Sequence, residues 1–300
     1  MMTASWPARW IVDGAYFRAL QSDGPVSGAI GRLVGSMLAG SPSRSGRNLR
    51  SNARLVLGPS ATDAEVRILA RTMACSMQRA IAEVLQSADR TADELVSTVA
   101  GFSGQAEYHQ VRRRRPGMLL ASIHMGSFEP CLALLRRYEP RIHVLYHPDP
   151  MPRFEQARSA IRLRLGIIEH RVSDGLEAWQ SLQRALEDGD IVVMHADRTM
   201  PGQSGTAMRF LGRDDVLMPT GPVRLAVSVG APVVPVFCRH TSAGLQVDMR
   251  PPLTHNAELL RADAAARHPT QLRLVSEMER AIRADPGQWM PFGRLDGGAR

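Results

Sequence analysis

An uncharged apolar run at residues 118–123 leads into a histidine and then into a segment with helical periodicity. An apolar run of this length, placed after a Pro-Gly turn, indicates a buried strand. From residue 128 onward apolar side chains recur three residues apart, which indicates a helix over residues 128–138. His124 therefore lies where a buried strand ends and a helix begins. In α/β proteins ligands bind at such positions, so this stretch predicts a layered fold with a candidate site at His124.

The residues that follow His124 are suited to acid–base chemistry. Gly126 allows a close approach of the backbone to a ligand, and Ser127 is a candidate helix N-cap. Glu129 falls in the first helical turn, from which its carboxylate can reach back to an imidazole nitrogen. A base, an orienting carboxylate and free helical N–H groups would then meet in one place. The alternative interpretation is a structural histidine that is satisfied by a local carbonyl group.

The chain divides into two regions by its patterns, which we expect to form one continuous structural domain. Residues 1–115 are predicted to form a helical N-terminal region that lies closest to a membrane. Within them, Thr62 and Glu65 have the spacing of a capping box at a helix start. Over residues 116–300 apolar strand segments alternate with helical ones. This alternation predicts an α/β fold with a mostly parallel central sheet flanked by helices.

A second polar group follows a second buried strand. The apolar run at residues 191–194 leads into His195, Asp197 and Arg198. Because the carboxyl ends of parallel strands meet at one edge of a sheet, Asp197 is expected at the same edge as His124. His195 and Asp197 have no third residue spaced to complete a metal site, so we expect no metal.

Further motifs stand in a fixed order around these residues. They are Tyr146-His-Pro, the pair Arg162 and Arg164, the glycine-bounded segment 205–212, Pro219-x-Gly221-Pro222, the apolar run 230–237 and Pro286-x-Gln288-Trp289. Together with His124-x-x-x-x-Glu129 they cover residues 119–292. In this order they resemble the bacterial lipid A biosynthesis acyltransferases, the lauroyl/myristoyl transferase family within the lysophospholipid acyltransferase-like superfamily. Without the resemblance, Arg162 would be interpreted as a solvent-facing helical arginine.

The resemblance implies an activity and a set of roles. A fatty acyl group would move from an acyl thioester, carried by acyl carrier protein or coenzyme A, to a hydroxyl or amine of a lipid or glycolipid. His124 would be the general base and Glu129 its orienting partner, with no cofactor beyond the acyl thioester co-substrate. The residues implied in substrate binding are Gly126, Ser127, Arg162, Arg164, Asp197 and Arg198. The chain departs from the family pattern in having Arg-Thr after Asp197, where lipid A enzymes often carry another acidic residue.

Three alternatives to this function remain open at the level of sequence. The same His and Glu would serve a thioesterase or hydrolase that acts on water. An acyltransferase of this kind would also serve a soluble secondary-metabolite acceptor. A nucleic-acid binder is suggested by charge alone, but we expect none, because no nucleic-acid motif is present and aromatic residues are only 5% of the chain.

The charge of the chain favours anionic partners. The net charge is +8, and all 37 basic residues are arginine. Arginine binds phosphate and carboxylate groups in a bidentate way, which suits an anionic membrane surface or an acidic carrier protein. A genome-level bias towards arginine is the alternative source of part of this excess. The three cysteines form neither a disulfide framework nor a metal-binding pair, which fits a reducing cytoplasm.

The N-terminal region suggests how the chain meets a membrane. It has no window of about 18 apolar residues and no signal-peptide layout, so we expect neither a transmembrane helix nor a cleaved leader. We expect peripheral attachment at the cytoplasmic face of the inner membrane. The alternative is that the aromatic residues near the N-terminus belong to the core. The predicted contacts are Trp6, Trp10, Tyr16 and Phe17, with Arg9, Arg18 and the arginines at 112–115.

Overall fold

A computed structural model gives the fold of residues 6–22, 24–113, 117–199, 205–253 and 268–291, together with 293 and 295; side chains are described from residue 14 on. Seven strands form one sheet and two more form a hairpin. The sheet strands are β1 (Val99–Ser103), β2 (Met118–Ser122), β3 (Ile142–Tyr146), β4 (Ile168–Arg171), β5 (Ile191–His195), β8 (Val233–Thr241) and β9 (Gly244–Met249), and the hairpin strands are β6 (Thr206–Phe210) and β7 (Arg213–Met218).

The sheet has the order β1-β9-β8-β2-β5-β3-β4, with β2 at its centre. All neighbouring pairs are parallel except β8 and β9, which form an antiparallel pair. The predicted α/β class with a mostly parallel sheet is confirmed. Every residue of β2 is buried, as expected for a central strand with helices on both faces.

Helices cover both faces of the sheet and make up most of the N-terminal region. They are α1 (Trp6–Gln21), α2 (Pro25–Gly40), α3 (Arg44–Leu57), α4 (Asp63–Ser87), α5 (Ala92–Ser97), α6 (Gln105–Arg112), α7 (Phe128–Arg136), α8 (Pro152–Arg164), α9 (Gly175–Glu187), α10 (Gly221–Ser228) and α11 (Pro269–Ala284). The predicted capping box at Thr62 and Glu65 is present at the start of α4. Within the described residues, no helix combines the length and the apolar character needed to cross a bilayer.

The predicted helical N-terminal part is present, and it also contains one strand that the sequence did not predict, β1. Residues 99–103 pair in parallel with β9, at an outer edge of the sheet. The strand is five residues long and includes Gly101, so its own sequence carries little strand signal. Its conformation depends on hydrogen bonding to a strand about 145 residues later in the chain, which local patterns do not record.

The long helix α4 joins the hydrophobic layers on the two faces of the sheet. Its first half contributes Leu69 and Met73 to the cluster that contains Leu119 of β2. Its second half contributes Ile81 and Leu85 to the cluster that contains the neighbouring residue of the strand, Leu120. Successive strand residues point to opposite faces, so α4 passes from one side of the sheet to the other. The N-terminal helices therefore share their core with the sheet.

Helix α2 packs closely against α4 through small side chains. Ser27, Gly31, Gly35 and Ala39 are its buried residues, and their spacing of four places them on one helix face. A Cβ atom at Gly35 would lie 2.9 Å from the backbone nitrogen of Cys75 on α4. Only a residue without a Cβ permits this approach of the two backbones.

Replacing Gly35 with alanine should therefore destabilise the protein. We expect a loss of about 1–3 kcal/mol, because the added methyl group overpacks a backbone-to-backbone contact. The midpoint of chemical unfolding, followed by circular dichroism, measures this loss. Gly40→Ala is the matched control, since a Cβ there meets nothing within 4 Å. Equal midpoints for the two variants would show that α2 does not pack on α4 in this way.

Candidate active site

The register of the sheet brings His124 and Asp197 together. Ser122 at the end of β2 pairs with His195 at the end of β5. His124 and Asp197 each follow two residues later, so both lie just beyond the carboxyl edge of the sheet. The Nδ1 atom of His124 is 2.8 Å from Oδ1 of Asp197. Two residues separated by 73 positions in the chain thus form one pair at the centre of the fold.

Asp197 is fully buried and accepts hydrogen bonds on both of its oxygens. Its Oδ2 accepts the backbone N–H of His124 at 3.1 Å and the indole N–H of Trp289 at 3.0 Å. Burial alone would raise the pKa of Asp197, but the charge interaction and hydrogen bonds with His124 and the indole outweigh it. The pKa of Asp197 lies well below its ordinary value as a result. It is therefore a carboxylate at neutral pH.

The segment after α11 completes this arrangement. The backbone N–H of Met290 donates to the carbonyl of His124 at 2.8 Å, and Met125 forms an isolated antiparallel bridge with Trp289. Gln288 donates to the carbonyl of His240 and accepts from its backbone N–H, which ties the segment to β8. The Gln-Trp motif thus fixes the loop that carries His124 and supplies a donor to Asp197. Sequence reasoning noted the motif but gave it no role.

The imidazole of His124 is oriented with one nitrogen inward and one towards solvent. The ionised carboxylate of Asp197 assigns the proton to Nδ1, which donates to it. Nε2 then carries the lone pair, and the guanidinium of Arg198 donates to it at 3.4 Å. Burial lowers the pKa of His124; Asp197 opposes this effect and Arg198 adds to it, with a net lowering. The ring is neutral at pH 7, as a general base must be.

A second histidine packs against the first. The rings of His195 and His124 are stacked with their centroids 4.1 Å apart, and the ring of Phe128 lies 4.9 Å from that of His195. Burial lowers the pKa of His195 well below its ordinary value, and the neighbouring His124 ring adds to the effect. His195 is an uncharged wall of the site. Among the described residues, no three His, Cys, Asp or Glu side chains are grouped as metal ligands.

The pair faces a large cavity of about 1800 Å³. Its walls come from the carboxyl edge of the sheet, from the loops that follow β2, β3 and β5, and from helices α2, α3 and α4. The apolar side chains of the walls include Leu38, Leu49, Met77, Ile81, Phe154 and Trp179. The N-terminal helices are therefore part of the site.

The charged lining of the cavity is mostly positive. Two carboxylates, of Glu129 and Asp149, also line it. A cavity with apolar walls and several guanidinium groups suits a ligand that has both an apolar chain and an anionic group. The arginines of the lining are Arg44, Arg47, Arg158, Arg198 and Arg224.

Glu129 lies in the cavity wall, and the carboxylate beside Nδ1 of His124 is that of Asp197. Glu129 is buried, and its Oε1 is 3.5 Å from Nε of Arg158. Arg158 also lies 3.7 Å from Glu155 on its own helix. The carboxylate of Glu129 thus holds a cavity arginine that sequence reasoning missed. Arg158 precedes Arg162 by one helical turn, so the phase of α8 decides which of them reaches the cavity.

Two of the three arginines that were predicted to bind substrate, Arg162 and Arg164, make contacts within the fold. Arg162 is fully buried; its guanidinium lies 2.8 Å from Glu155, 2.6 Å from Glu169 and over the ring of Tyr146. Arg164 donates to the carbonyl oxygens of Ala88 and Arg90 at the end of α4. Neither lines the cavity, whereas Arg198 does.

In the loop after His124, Ser127 is the N-cap residue as predicted, and Gly126 allows a close approach of the backbone, but to a different partner from the one predicted. Gly126 has a φ of 67° and lines the cavity together with Ser127. A Cβ at Gly126 would collide with the carbonyl of Cys238 on β8, so the close approach is to a strand and not to a ligand. Ser127 occupies the N-cap position of α7, but its side chain makes no capping hydrogen bond.

Three of the five predicted membrane contacts whose side chains the structure describes make contacts within the fold. Phe17 is buried, and the hydroxyl group of Tyr16 donates to Gln78. Arg112 forms an ion pair with Glu139 and has little exposure. Arg18 and Arg113 are exposed. The side chains of Trp6, Arg9 and Trp10, and all of Arg114 and Arg115, lie outside the described residues.

Comparison with known proteins identifies one family. The family model described as bacterial lipid A biosynthesis acyltransferase matches residues 2–295, nearly the whole chain. A search of curated proteins found no significant match.

Replacing Asp197 with asparagine should lower the pKa of His124 still further. The carboxylate raises that pKa, so its removal leaves burial and Arg198 unopposed. An NMR titration of the histidine ring signals measures the change. Asp190→Asn is the matched control, because Asp190 contacts His143 at 3.1 Å and should leave His124 unaffected. A rise in the His124 pKa in Asp197→Asn would contradict the assigned pair.

Loss of Arg162 should destabilise the fold more than loss of Arg158. Arg162→Gln leaves two carboxylates beside a buried position without their cation and should destabilise the fold by about 3 kcal/mol or more. Arg158→Gln should lower the unfolding midpoint less, because Arg158 is partly exposed and lies 3.5 and 3.7 Å from its carboxylates, whereas Arg162 is fully buried and lies 2.8 and 2.6 Å from its own. Chemical unfolding of the two variants tests the difference. Equal destabilisation would refute the division into a structural and a cavity arginine.

Proposed function

The chain belongs to the bacterial lipid A biosynthesis acyltransferase family, and from this premise we propose that it transfers a fatty acyl group from an acyl thioester to a hydroxyl or amine of a lipid or glycolipid. His124 is the general base of this reaction. The observation that carries the proposal is the buried Asp197–His124 pair whose second nitrogen faces a cavity of about 1800 Å³. That cavity has the apolar surface for an acyl chain and the arginines for an anionic group.

The first step is attack of the acceptor on the thioester carbonyl. A hydroxyl group is a weak nucleophile at neutral pH, so its proton must leave as the new bond forms. Nε2 of His124 takes that proton. Asp197 stabilises the resulting imidazolium through Nδ1–H, as the carboxylate does in a catalytic triad. No side chain of the enzyme is acylated, and the chain has no Gly-x-Ser-x-Gly elbow.

The second step is collapse of the tetrahedral intermediate. The carbon–sulfur bond breaks, the carbonyl forms again as an ester or amide, and the thiol leaves with the proton that His124 held. Negative charge on the intermediate's oxygen is stabilised by donors directed into the cavity. The candidates are the backbone N–H groups near Gly126 and Ser127 and the guanidinium of Arg198.

The arginines of the cavity bind the anionic parts of the substrates. Acyl carrier protein and coenzyme A both carry a phosphate at the other end of the pantetheine arm from their thiol, and an acceptor lipid presents its head group. Arg198 contacts the ring of the base, and Arg158 is held by Glu129. In this proposal Glu129 acts through Arg158, while Asp197 orients the imidazole. A net positive protein would also accelerate encounter with an acidic carrier.

A lipid acceptor lies in a membrane, so the protein has to reach it there. We propose peripheral attachment at the cytoplasmic face of the inner membrane, where an anionic surface attracts a protein of net charge +8.

His124→Ala should abolish acyl transfer while leaving the fold intact. Loss of a positioned general base lowers the rate by about 10²–10⁴-fold. The assay supplies acyl carrier protein thioester or acyl-coenzyme A with a lipid acceptor and detects the acylated product by mass spectrometry. His109→Ala is the control for a histidine that is exposed and belongs to α6. Wild-type activity in His124→Ala would end the proposal.

The same assay separates transfer from hydrolysis. Thioester is supplied with the lipid acceptor, with a soluble alcohol and with no acceptor. An acyltransferase forms product only when the acceptor is present, whereas a thioesterase releases free fatty acid at the same rate in all three mixtures. Full activity on the soluble alcohol and none on the lipid would assign the site to a soluble metabolite.

A further inference from the structure

Helix α2 presents a stripe of large apolar side chains to solvent. Val26, Leu33 and Met37 are 55%, 61% and 67% exposed, and Ile30 between them is partly buried. Their spacing of four, three and four residues places them along one side of the helix. The stripe extends over about 16 Å, from the rise per residue of an α-helix. We call these four residues the α2 stripe.

The three exposed side chains of the α2 stripe are not needed for the packing of the helix. The opposite side of α2 is already occupied, because Ser27, Gly31, Gly35 and Ala39 lie against α4. Val26, Leu33 and Met37 therefore remain in water when the fold is complete, whereas Ile30 packs partly against the core. Soluble proteins seldom leave adjoining large apolar side chains exposed unless another surface covers them.

All charged residues in the segment that forms α2 and α3 are arginines. Residues 25–57, which form α2 and α3, contain five arginines and neither aspartate nor glutamate. Arg32 on α2 and Arg44 and Arg47 on α3 are exposed. An apolar stripe in a segment whose exposed charges are all arginine is the pattern of a helix that lies in the interface of an anionic bilayer, with its apolar side among the acyl chains.

The α2 stripe is also next to the cavity. Leu38 of α2 and Arg44 and Arg47 of α3 belong to the cavity wall. A bilayer that covers the α2 stripe would therefore meet the rim of the cavity at the level of the lipid head groups. A lipid acceptor would then pass from the membrane to His124 without crossing water.

We propose that the α2 stripe is the surface by which this protein inserts into an anionic lipid bilayer. The proposal deepens the proposed function and rests on it for the identity of the lipid acceptor. It assigns attachment to α2 in place of Tyr16, Phe17 and Arg112, whose side chains make contacts within the fold. A bilayer fits better than a second protein, because stable protein interfaces bury about 800 Å² on each partner. A row of four side chains on one helix is narrower than such a patch.

The test compares two double variants of the full chain in vesicle co-sedimentation. Leu33→Gln with Met37→Gln removes the two most exposed side chains of the α2 stripe and replaces them with residues that also favour helix. Leu176→Gln with Leu272→Gln is the matched control, since these leucines are exposed on α9 and α11. The vesicles are phosphatidylcholine alone or phosphatidylcholine with phosphatidylglycerol. Unfolding midpoints establish that all three proteins are folded.

We expect the wild type and the control to bind the anionic vesicles, to bind neutral vesicles weakly and to be released by high salt. The α2 variant should lose binding by roughly tenfold or more, because two inserted apolar side chains are lost. Its rate on a short-chain, water-dispersed acceptor should be unchanged, and only transfer to an acceptor embedded in vesicles should fall.

Three results would overturn the proposal. One is a wild-type protein that ignores anionic vesicles. Another is equal loss of binding in the α2 variant and the control. The third is a wild-type dimer, or a complex with acyl carrier protein, that the α2 variant loses while its vesicle binding is unchanged. If the protein binds anionic vesicles through α2 but transfers no acyl group, the proposed function is refuted and the proposed membrane-binding surface is retained.

Discussion

A buried carboxylate organises the centre of this protein. Moving an ion away from water is costly unless other groups replace the solvent. Asp197 meets this requirement with the ring and backbone N–H of His124 and with the indole of Trp289. These donors come from the loop after β2 and from the segment after α11. The register of β2 on β5 and the position of the C-terminal segment must therefore both be correct before the carboxylate is satisfied.

The N-terminal helices cannot be separated from the site, because they form part of the wall of the cavity at His124. The carboxyl edge of a parallel sheet is a surface of strand ends and loops, and it forms a cavity only when other elements enclose it. Helix α4 provides this enclosure by joining the hydrophobic layers on the two faces of the sheet. The small residues of α2 bring a further helix against α4. The walls opposite His124 therefore depend on packing in a region that has no catalytic residue.

Local patterns in the sequence predicted the elements of the site better than their pairings. The strand at residues 118–123 and the positions of His124 and Asp197 after strands follow from apolar runs and turns, and the structure has both. The partner of the imidazole depends on strand register, which joins residues 73 positions apart, so Glu129 was the nearer choice by sequence alone. The choice between Arg158 and Arg162 depends on the rotation of α8 about its axis. Both arginines lie in a helix with little amphipathic pattern, and only packing fixes that rotation.

The balance of charges around His124 sets what the ring can do. Burial and the nearby arginines favour the neutral imidazole, whereas Asp197 favours the imidazolium. Without the carboxylate, the ring would be a weaker base and its protonated form would have no counter-ion. Without burial and Arg198, the carboxylate would raise the pKa and the ring would hold a proton before any substrate arrived. A ring that is neutral at rest and stabilised once it is protonated needs both influences. Both come from residues that lie just after the ends of β2 and β5.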